Sequence, residues 1–474
     1  MKTEIKKKEQ AMMCAEELKL NNVRNKKLNS KETRKTSGIT LIALVVTIVV
    51  LLILAGITIS LVFSENGIIA KAKEAAEKTN QAAINEQEQM NEVAGYLDNM
   101  LNEIGGSGEE PTPPKPTLPS DGSYSEEKGV NTPNLGEGMT AIKWNGNSWE
   151  ETKGNDVDWY DYSTKKWANA KTSDGSMWVW IPRYAYSITS GYHSSSAGNI
   201  EVEFMKGLTN ETSTGRKSFN NASGQGNWNI HPAFNYGQTV SGLWVAKFEA
   251  SNSGGKIKVE PGVQSWRSIT VNDIYTNCLN YNKTLNSHMM KNDEWGAVAY
   301  LSKSKYGKNA EVDINRNSSY YTGGRSGNAY VTNVGQSTTG TVHGVYDMSG
   351  GAWEYVAAYV NNGNSNLTNY GSSLVNGDAK TKNVYSKGSS DSRDNNYSAN
   401  SGKYGDAVYE TSANGNSSSS SWYGDYSYFP GTSAPFFVRG GDCDSGTRAG
   451  VFCFNNYGGD DYSFVSFRPV LVSL

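Results

Sequence analysis

The stretch FVRGGDCDSGTRAGVFCFNNYGGDDYSFVSFRP, residues 437–469, alternates two kinds of short block. RGG opens it at 439–441, AGVF lies at 449–452 and SFRP closes it at 466–469, with the glycines and apolar residues of a structural framework. Between these blocks lie Asp, Asn, Ser, Tyr, Arg and Cys, without the period of two or about 3.6 that gives a strand or helix an apolar face. Tyr, Ser, Gly and Asn are typical of recognition surfaces. The segment is therefore either a framework that displays a polar and aromatic surface or an ordinary Gly/Asn-rich terminal loop.

An uncharged apolar segment lies towards the other end of the chain. Residues 36–64 contain no charged side chain, and 39–62 are nearly all Ile, Leu, Val, Ala and Thr. Since about 20 apolar helical residues cross a bilayer core of about 30 Å, we expect a transmembrane helix at 39–63. The leader, residues 1–38, holds eleven Lys and Arg against five Glu, whereas the whole chain has a net charge of −3. The positive-inside rule then predicts a cytoplasmic leader and an extracellular C-terminal domain.

The junction SGITLIALVVTIVVLLILAGITIS, residues 37–60, resembles the N-terminus of type IV prepilins and pseudopilins. The resemblance implies that a prepilin peptidase cuts between Gly38 and Ile39 and leaves the apolar helix on the mature protein. Those proteins usually carry Glu at the fifth mature position, where this chain has Ala43. That Glu pairs with the amino terminus of a neighbouring subunit, so assembly into a pilus and plain membrane anchoring remain alternatives.

Two segments separate the apolar helix from the C-terminal domain. Residues 64–104 are rich in Ala, Glu, Lys, Gln and Met, and their later apolar residues are spaced three and four apart, which predicts a helical stalk. Residues 105–122 join a flexible GGSG to the stiff, Pro-rich PTPPKPTLP, which is typical of a linker between domains. The domain that follows is expected at 123–474.

This domain mixes strand-like and helix-like segments. Strand-like runs between turn signals lie at 139–144, 177–188, 200–205, 242–251, 256–261 and 436–441. Two longer runs, 268–282 and 288–307, favour helices, so an α+β domain is predicted. Residues 361–421 are dominated by Asn, Ser, Gly and Tyr and are expected to be surface insertions.

Several blocks of the domain follow one another in a fixed order, namely GLWVAKFEAS (242–251), SWRSITVNDIYTNC (265–278), MKNDEWGAVAYLSKS (290–304), GVYDMSGGAWEYVAAYV (344–360), and the pair FVRGG (437–441) and SFRP (466–469). In this order they resemble the formylglycine-generating-enzyme family, also called sulfatase-modifying factors. The resemblance implies a C-type-lectin-like fold behind the single N-terminal transmembrane helix.

The same resemblance implies one calcium site, in the turn around the DMSGG block. Matched residue by residue, its ligands are Asp347, Gly350, Ala352 and Glu354. Carboxylate and carbonyl oxygens suit Ca²⁺. A capped turn without a metal ion is the alternative interpretation.

No pattern typical of a catalytic centre is present in the sequence. The oxidase of this family holds copper with two closely spaced cysteines in its closing segment, whereas Cys443 and Cys453 lie ten residues apart in a different local sequence. We therefore expect neither copper nor enzymatic activity, and the two cysteines either form a disulfide or belong to the displayed surface. The histidines form no closely spaced pair and are expected to be surface or core residues: His193, His231, His288 and His343.

Residues 437–469 are the closing segment of this chain. The non-enzymatic branch of this fold family matches this segment more closely. These are the variable proteins of diversity-generating retroelements, in which a reverse transcriptase copies a template with errors at adenines and rewrites a C-terminal variable region. The resemblance implies that these residues are displayed to a ligand: Asp442, Cys443, Asp444, Arg448, Phe454, Asn455, Asn456, Tyr457, Asp460, Asp461 and Tyr462. It implies that these residues are framework: Gly440, Gly441, Ala449, Val451, Phe467 and Arg468.

The sequence therefore predicts a surface-displayed, membrane-anchored binding protein, adhesin-like or receptor-like, with a diversified C-terminal face. Its expected partners are an exterior protein or cell-surface ligand, the membrane, prepilin peptidase and, if it polymerises, pilus subunits. A minor type IV pilin or pseudopilin with a structural head is one alternative, and a formylglycine-generating oxidase is a second. Nucleic acid is not expected, because the basic charge lies in the leader and the rest of the chain is acidic.

Overall fold

Residues 120–474 are the part of the chain that the computed structural model describes, and they belong to one compact unit, Pro111–Leu474. The expected leader, transmembrane helix 39–63, stalk and cleavage point between Gly38 and Ile39 lie outside these residues, as does most of the linker. Within residues 120–474, no helix is both long and apolar enough to cross a membrane.

The described unit is α+β and rich in β-sheet, which confirms the predicted class. Its strands, in chain order, are β1 Tyr124–Ser125, β2 Val130–Asn131, β3 Met139–Trp144, β4 Trp149–Glu151, β5 Asn169–Thr172, β6 Met177–Pro182, β7 Tyr184–Ser190, β8 Asn199–Phe204, β9 Asn229–Ile230, β10 Gly242–Ala246, β11 Ser251–Ser253, β12 Lys256–Lys258, β13 His288–Met289, β14 Trp353–Asn361, β15 Asn383–Ser386, β16 Asn416–Ser417, β17 Ser427–Tyr428, β18 Phe436–Gly440, β19 Gly450–Tyr457, β20 Val465–Phe467 and β21 Pro469–Leu471. Its helices are α1 Val271–Tyr281, α2 Asn292–Lys303, α3 Asn366–Asn369, α4 Ser372–Asn376 and α5 Arg393–Ala399.

Two seven-stranded sheets form most of the unit. The first sheet has the order β13-β21-β10-β6-β5-β3-β4 and is antiparallel throughout. The second has the order β15-β14-β18-β19-β17-β16, and β20 pairs with β14 in parallel. A smaller sheet, β8-β7-β9, and two hairpins complete the described strands.

The predicted strand run 177–188 forms two strands in different sheets, whereas the run 139–144 forms β3 with the expected bounds. The division falls at Arg183, where the chain leaves the first sheet for the smaller one. The Arg183 side chain is buried, and its Nη1 donates to the carbonyls of Gly207 and Thr209 at 3.2 and 2.6 Å. This buried cation therefore fixes the corner by linking it to the loop that follows β8.

Both predicted helices form, and each begins at a side-chain cap. The Thr270 hydroxyl accepts a hydrogen bond from the Asp273 amide at 3.2 Å and starts α1. The run 288–307 becomes helical only from α2 onward, because its first residues pair with β21 as β13. The Glu294 carboxylate then accepts from the Lys291 amide at 2.8 Å and caps α2.

The expectation that residues 361–421 are surface insertions is wrong for much of this range. Leu374 is fully buried, and Tyr385 is 2% exposed. The Tyr385 hydroxyl donates to the Asp406 carboxylate at 2.7 Å and accepts from the Asn292 amide at 2.7 Å. Polar residues of this range are buried because side-chain hydrogen bonds compensate for their lost hydration.

The closing segment supplies strands to both large sheets. Its strands β18, β19 and β20 belong to the second sheet, and β21 lies between β13 and β10 in the first. One hydrophobic core cluster runs through the unit and includes residues of both sheets. The closing segment therefore joins the two sheets, and its connecting loops are held at both ends by core strands.

Candidate functional site

Two arginines of the closing segment are anchors inside the protein. Arg439 is fully buried, and its guanidinium donates to Asn292 Oδ1 at 2.8 Å and to the Ala407 carbonyl at 3.0 Å. Arg468 is also fully buried, at the point where the chain passes from β20 to β21. It donates through Nε to Glu354 Oε2 at 2.7 Å and through Nη1 to the Ala246 carbonyl at 2.9 Å. The arginines of the RGG and SFRP blocks therefore link the closing segment to other parts of the interior and present no charge to a ligand.

Glycines close the base of the loop 441–449 between β18 and β19. Gly441 has φ +75°, and a Cβ there would lie 2.5 Å from Cα of Ala449. A Cβ on Gly450 would lie 2.1 Å from a carboxylate oxygen of the buried Asp425. Only glycine allows these close approaches, so the loop is narrow at its base. Beyond this base, Asp444, Thr447 and Arg448 are exposed, whereas Cys443 and Ser445 are buried.

The alternation of β19 divides the predicted displayed residues into two sets. Successive side chains of a strand point to opposite faces of its sheet. Tyr457 packs its ring against Trp353, with centroids 6.2 Å apart, on one face. On the other face Phe454 is fully buried near Arg439. Asn456 is 5% exposed and donates to the Phe429 carbonyl at 2.6 Å.

The prediction that Phe454 and Asn456 are displayed is therefore wrong. β19 pairs with β18 and β17 along its two edges, and packing buries its side chains except those of Asn455 and Tyr457, which are partly exposed. The local sequence FNNY does not reveal that its strand is central.

Cys443 is a third predicted display residue that the structure places inside. It is 6% exposed, and burial raises the pKa of its thiol, with Asp444 and Asp442 adding to the shift. Cys453 is fully buried, and burial raises the pKa of its thiol well above the ordinary range. Both cysteines are free, as is Cys278, so the structure contains no Cys443–Cys453 disulfide.

The other predicted display residues are accessible. Asp444, Arg448 and Asp461 are exposed, and five others are partly exposed: Asp442, Asn455, Tyr457, Asp460 and Tyr462. The rings of Tyr457 and Tyr462 have centroids 5.0 Å apart, which brings the 458–464 loop against the end of β19. We name these eight residues the recognition face.

Aromatic residues that the sequence analysis missed border the recognition face. Phe464 lies 5.6 Å from Tyr457 and 5.4 Å from Tyr462 between ring centroids. Tyr426 stacks under the guanidinium of Arg448, whose Cζ lies 4.8 Å from the ring centroid. Phe464 could have been found as an aromatic residue inside the closing segment. Tyr426 could not, because it comes from another part of the chain.

The tyrosines of the recognition face remain protonated at neutral pH. Burial raises the pKa of Tyr462 to about 12, with a hydrogen bond to Asp460 and its negative charge adding to the shift. Burial and then the charge of Asp442 raise the pKa of Tyr457 in the same direction. The Asp442 carboxylate itself accepts from the Ser445 hydroxyl at 2.6 Å, which closes a tight turn at the loop's start. The face therefore offers neutral rings beside carboxyl groups.

The four residues expected to bind calcium lie in one turn, but their carboxylates already have donors. Asp347 Oδ1 accepts from Asn315 Nδ2 at 3.0 Å and from the Gly323 amide at 2.8 Å. Both oxygens of Glu354 accept from Arg468. Both carboxylates are buried, which raises the pKa of Asp347 to about 6 and that of Glu354 to about 7. In this arrangement the residues do not fit a calcium ion.

A backbone amide of the same turn binds a further carboxylate, that of Glu249, which the sequence analysis did not assign. Gly350 has φ +73°, and its amide donates to the Gly440 carbonyl at 3.1 Å. The Ala352 amide donates to Glu249 Oε1 at 2.9 Å, and burial raises the pKa of Glu249 well above the ordinary range. The turn, which leads into β14, is therefore joined by hydrogen bonds to the residues that follow β10 and to the closing segment. Within residues 120–474, no group of three or more His, Cys, Asp or Glu side chains is arranged to hold a metal ion.

Comparison of the chain with protein-family models gave no match, and comparison with curated proteins gave none either. The function of the chain is therefore inferred from its sequence motifs and from the geometry of the closing segment.

Proposed function

We propose that this chain is a surface-displayed, membrane-anchored ligand-binding protein with a C-type-lectin-like head and a diversified recognition face. In this proposal the head contains no catalytic centre. The ligand is an exterior protein or another component of a cell surface, and the closing segment contacts it.

The observation that carries the proposal is the separation of anchoring from display within the closing segment. Arg439 and Arg468 are fully buried and hydrogen-bonded, whereas Asp444, Arg448 and Asp461 are exposed. Exposed side chains away from caps and networks can usually be exchanged within about 0.5 kcal/mol of stability. The framework would thus tolerate many different surfaces without losing its fold.

The composition of the recognition face supports diversification by a retroelement. Errors at adenines in AAY codons convert Asn to Asp, Ser, Tyr, Gly, Arg, Cys and other residues without creating a stop codon. Such residues fill most of the positions between the framework blocks. The template would be an adenine-substituted repeat of this 3′ end, and it would lie beside a reverse transcriptase gene.

Sequencing the 3′ end of the gene across a population tests this function. We expect substitutions to cluster at the eight positions of the recognition face, while codons for Gly441, Arg439 and Arg468 change only silently. Phe454 and Asn456 are informative, because buried positions should vary less than Asn455 and Tyr457 on the same strand. Substitutions spread evenly over buried and exposed positions would contradict the proposal.

Anchoring by a prepilin-like helix is the second part of the proposal, and it depends on the sequence around Gly38 and Ile39. Cleavage by prepilin peptidase leaves Ile39 as the new N-terminus. Because Ala43 replaces the usual Glu, we propose an anchored monomer in preference to a pilus subunit. An N-terminal sequence that begins at Ile39 in protein from the native membrane would support the processing step.

Calcium binding remains a prediction of the family resemblance. Arg468 is paired with both carboxylate oxygens of Glu354. Calcium could therefore bind only after this ion pair opens, and its affinity should be weak. Calorimetry of the chelator-treated protein measures it directly. Heat that saturates at millimolar calcium and is lost in Asp347→Asn would support a site, and no heat would reject it.

A further inference from the structure

Three rings at the end of the recognition face form a compact group, which we name the ring triad: Tyr457, Tyr462 and Phe464. Their centroids lie 5.0, 5.4 and 5.6 Å apart, and all three side chains are partly exposed. The rings meet at interplanar angles of 33°, 49° and 65°, so they do not form a flat stack. Offset and edge-to-face contacts of this kind are the arrangements that aromatic pairs prefer.

Carboxylates lie around the ring triad. Asp460 and Asp461 are in the same loop as Tyr462. Asp442 is close enough to Tyr457 for its charge to be the second cause, after burial, of the raised pKa of this tyrosine. Asp444 is on the neighbouring loop. Within residues 120–474, none of these four aspartates forms an ion pair.

The protein's own arginines cover rings beside the recognition face but leave the triad open. Arg448 lies over Tyr426 at 4.8 Å, and Arg267 lies over Tyr320 at 4.0 Å. A third pair, Arg393 over Tyr428 at 4.7 Å, lies farther along the same sheet. Among the described residues, no Lys or Arg lies over a ring of the triad.

We propose that the ring triad receives a cationic side chain, Arg or Lys, from a partner protein. This inference rests on the proposed ligand-binding function and specifies the chemistry of the ligand. The cation would lie over the π-faces of Tyr457, Tyr462 and Phe464, where the ring quadrupole attracts it. The carboxylates of Asp442, Asp460 and Asp461 would neutralise its charge.

Charge complementarity selects this occupant over an anionic or a purely apolar one. The recognition face with its border carries four carboxylates, at 442, 444, 460 and 461, against the guanidiniums of Arg448 and Arg267. An anion would meet net repulsion there, and an apolar group would desolvate the carboxylates without pairing them. Both arginines already have aromatic partners, and Arg267 also donates to the Ser463 carbonyl.

The test uses the full-length protein in a nonionic detergent, captured on a sensor surface. Four probes are passed over it: the capped tripeptides Gly-Arg-Gly, Gly-Lys-Gly and Gly-Gln-Gly, and tetramethylammonium chloride. We expect the Arg and Lys peptides to bind measurably, the Gln peptide not to bind, and the affinity to fall as sodium chloride rises from 50 to 500 mM.

Two variants of the site and one matched control separate ring from charge effects. Tyr462→Leu removes a ring of the triad and keeps every charge, and it should weaken Arg-peptide binding by about fivefold or more. Asp461→Asn removes an exposed charge, should fold normally, and should also weaken binding. Tyr428→Leu removes a ring that Arg393 already covers, and it should leave binding unchanged.

Three results would overturn the proposal: equal binding of the Gln peptide, unchanged binding in both Tyr462→Leu and Asp461→Asn, or an equal loss in Tyr428→Leu. Tighter binding of tetramethylammonium than of either basic peptide would overturn it in favour of a quaternary ammonium ligand. Population sequencing is independent of these measurements. Clustered substitutions without cation binding would reject this inference and leave the proposed function intact.

Discussion

At the scale of single residues, Arg468 has the clearest energetic role in the closing segment. It is fully buried and pairs with Glu354 in an interior that also contains Glu249 and Asp347. Removing one partner of a buried ion pair leaves an uncompensated charge, which costs far more than the pair itself contributes. A surface arginine has no comparable constraint.

We predict that Arg468→Met lowers the free energy of unfolding by about 3–5 kcal/mol at pH 7.5. Urea titration followed by tryptophan fluorescence measures it, since all twelve tryptophans lie between residues 144 and 422 of the head. The exposed Arg325→Met is the control and should change stability by less than about 0.5 kcal/mol. Equal unfolding midpoints for the two variants would contradict a structural role for Arg468.

A second buried acid, Glu410, predicts how stability depends on pH. Its Oε2 accepts hydrogen bonds from Tyr186 and Tyr300 at 2.7 and 2.9 Å and from the Gly405 amide at 2.7 Å. Burial raises its pKa to about 7. The folded protein therefore binds the proton more tightly than the unfolded chain does. The stabilisation is complete below the unfolded pKa of about 4.5 and is lost as the pH rises through 7.

Glu410→Gln should accordingly flatten the decline of stability between pH 4.5 and pH 7, a contribution of about 3 kcal/mol for this one group. Thermal unfolding at a series of pH values between 4.5 and 7.5 measures the slope. Glu137→Gln changes an exposed carboxyl and should leave the slope unaltered. Parallel curves for wild type and Glu410→Gln would show that this carboxyl keeps its ordinary pKa.

At the scale of secondary-structure elements, β19 shows how one strand serves both the core and the surface. Its pairing with β18 and β17 fixes which side chains point inward. A one-residue change of register would exchange the two sets. The bulge between Arg439 and Gly440 and the glycines at the base of loop 441–449 set the register that is observed.

This alternation predicts opposite outcomes at adjacent positions. Phe454→Ala should lower the free energy of unfolding by about 3–5 kcal/mol, because it removes a fully buried ring. Asn455→Ala, on the accessible face, should change it by less than about 1 kcal/mol. Urea titration of the two variants compares them directly, and similar losses would mean that Asn455 has a structural role of its own.

At the scale of the whole molecule, the proposed arrangement has a linker between the head and the membrane anchor. The described unit is compact around one core, whereas residues 105–122 have the Gly/Pro composition of a linker. Exposed linkers are the preferred sites of proteolytic cleavage. The proposed orientation places this segment outside the cell.

Brief protease treatment of intact cells should therefore release the head as a folded fragment that begins within or near residues 105–122. Mass spectrometry of the supernatant identifies the fragment. In a Gly38→Val variant, which blocks the proposed cleavage, a leader epitope placed before residue 38 should stay protected until the cells are lysed. Release of the leader from intact cells would reverse the proposed topology.

Sequence reasoning succeeded where the determining interactions are local. The strand run 139–144 was predicted with its observed bounds, and the predicted helical run 268–282 contains α1, because strand and helix patterns are properties of adjacent residues. It failed at Phe454, Asn456 and Cys443, whose burial depends on strands and loops that are remote in sequence. The range 361–421 was misjudged for the same reason, since its polar side chains are buried by hydrogen bonds to distant partners.

The sequence by itself determined the α+β class, the positions of seven of the 21 described strands and of the two longest helices, and the division of the closing segment into framework blocks and polar stretches. Only the tertiary structure decided which residues of those stretches are accessible, that Arg439 and Arg468 are internal crosslinks, and that Tyr457, Tyr462 and Phe464 lie together. The physical reason is that burial and ring contacts depend on the pairing of β17, β18 and β19 and on the loops that pack against these strands. That pairing joins residues far apart along the chain, and no local pattern encodes it.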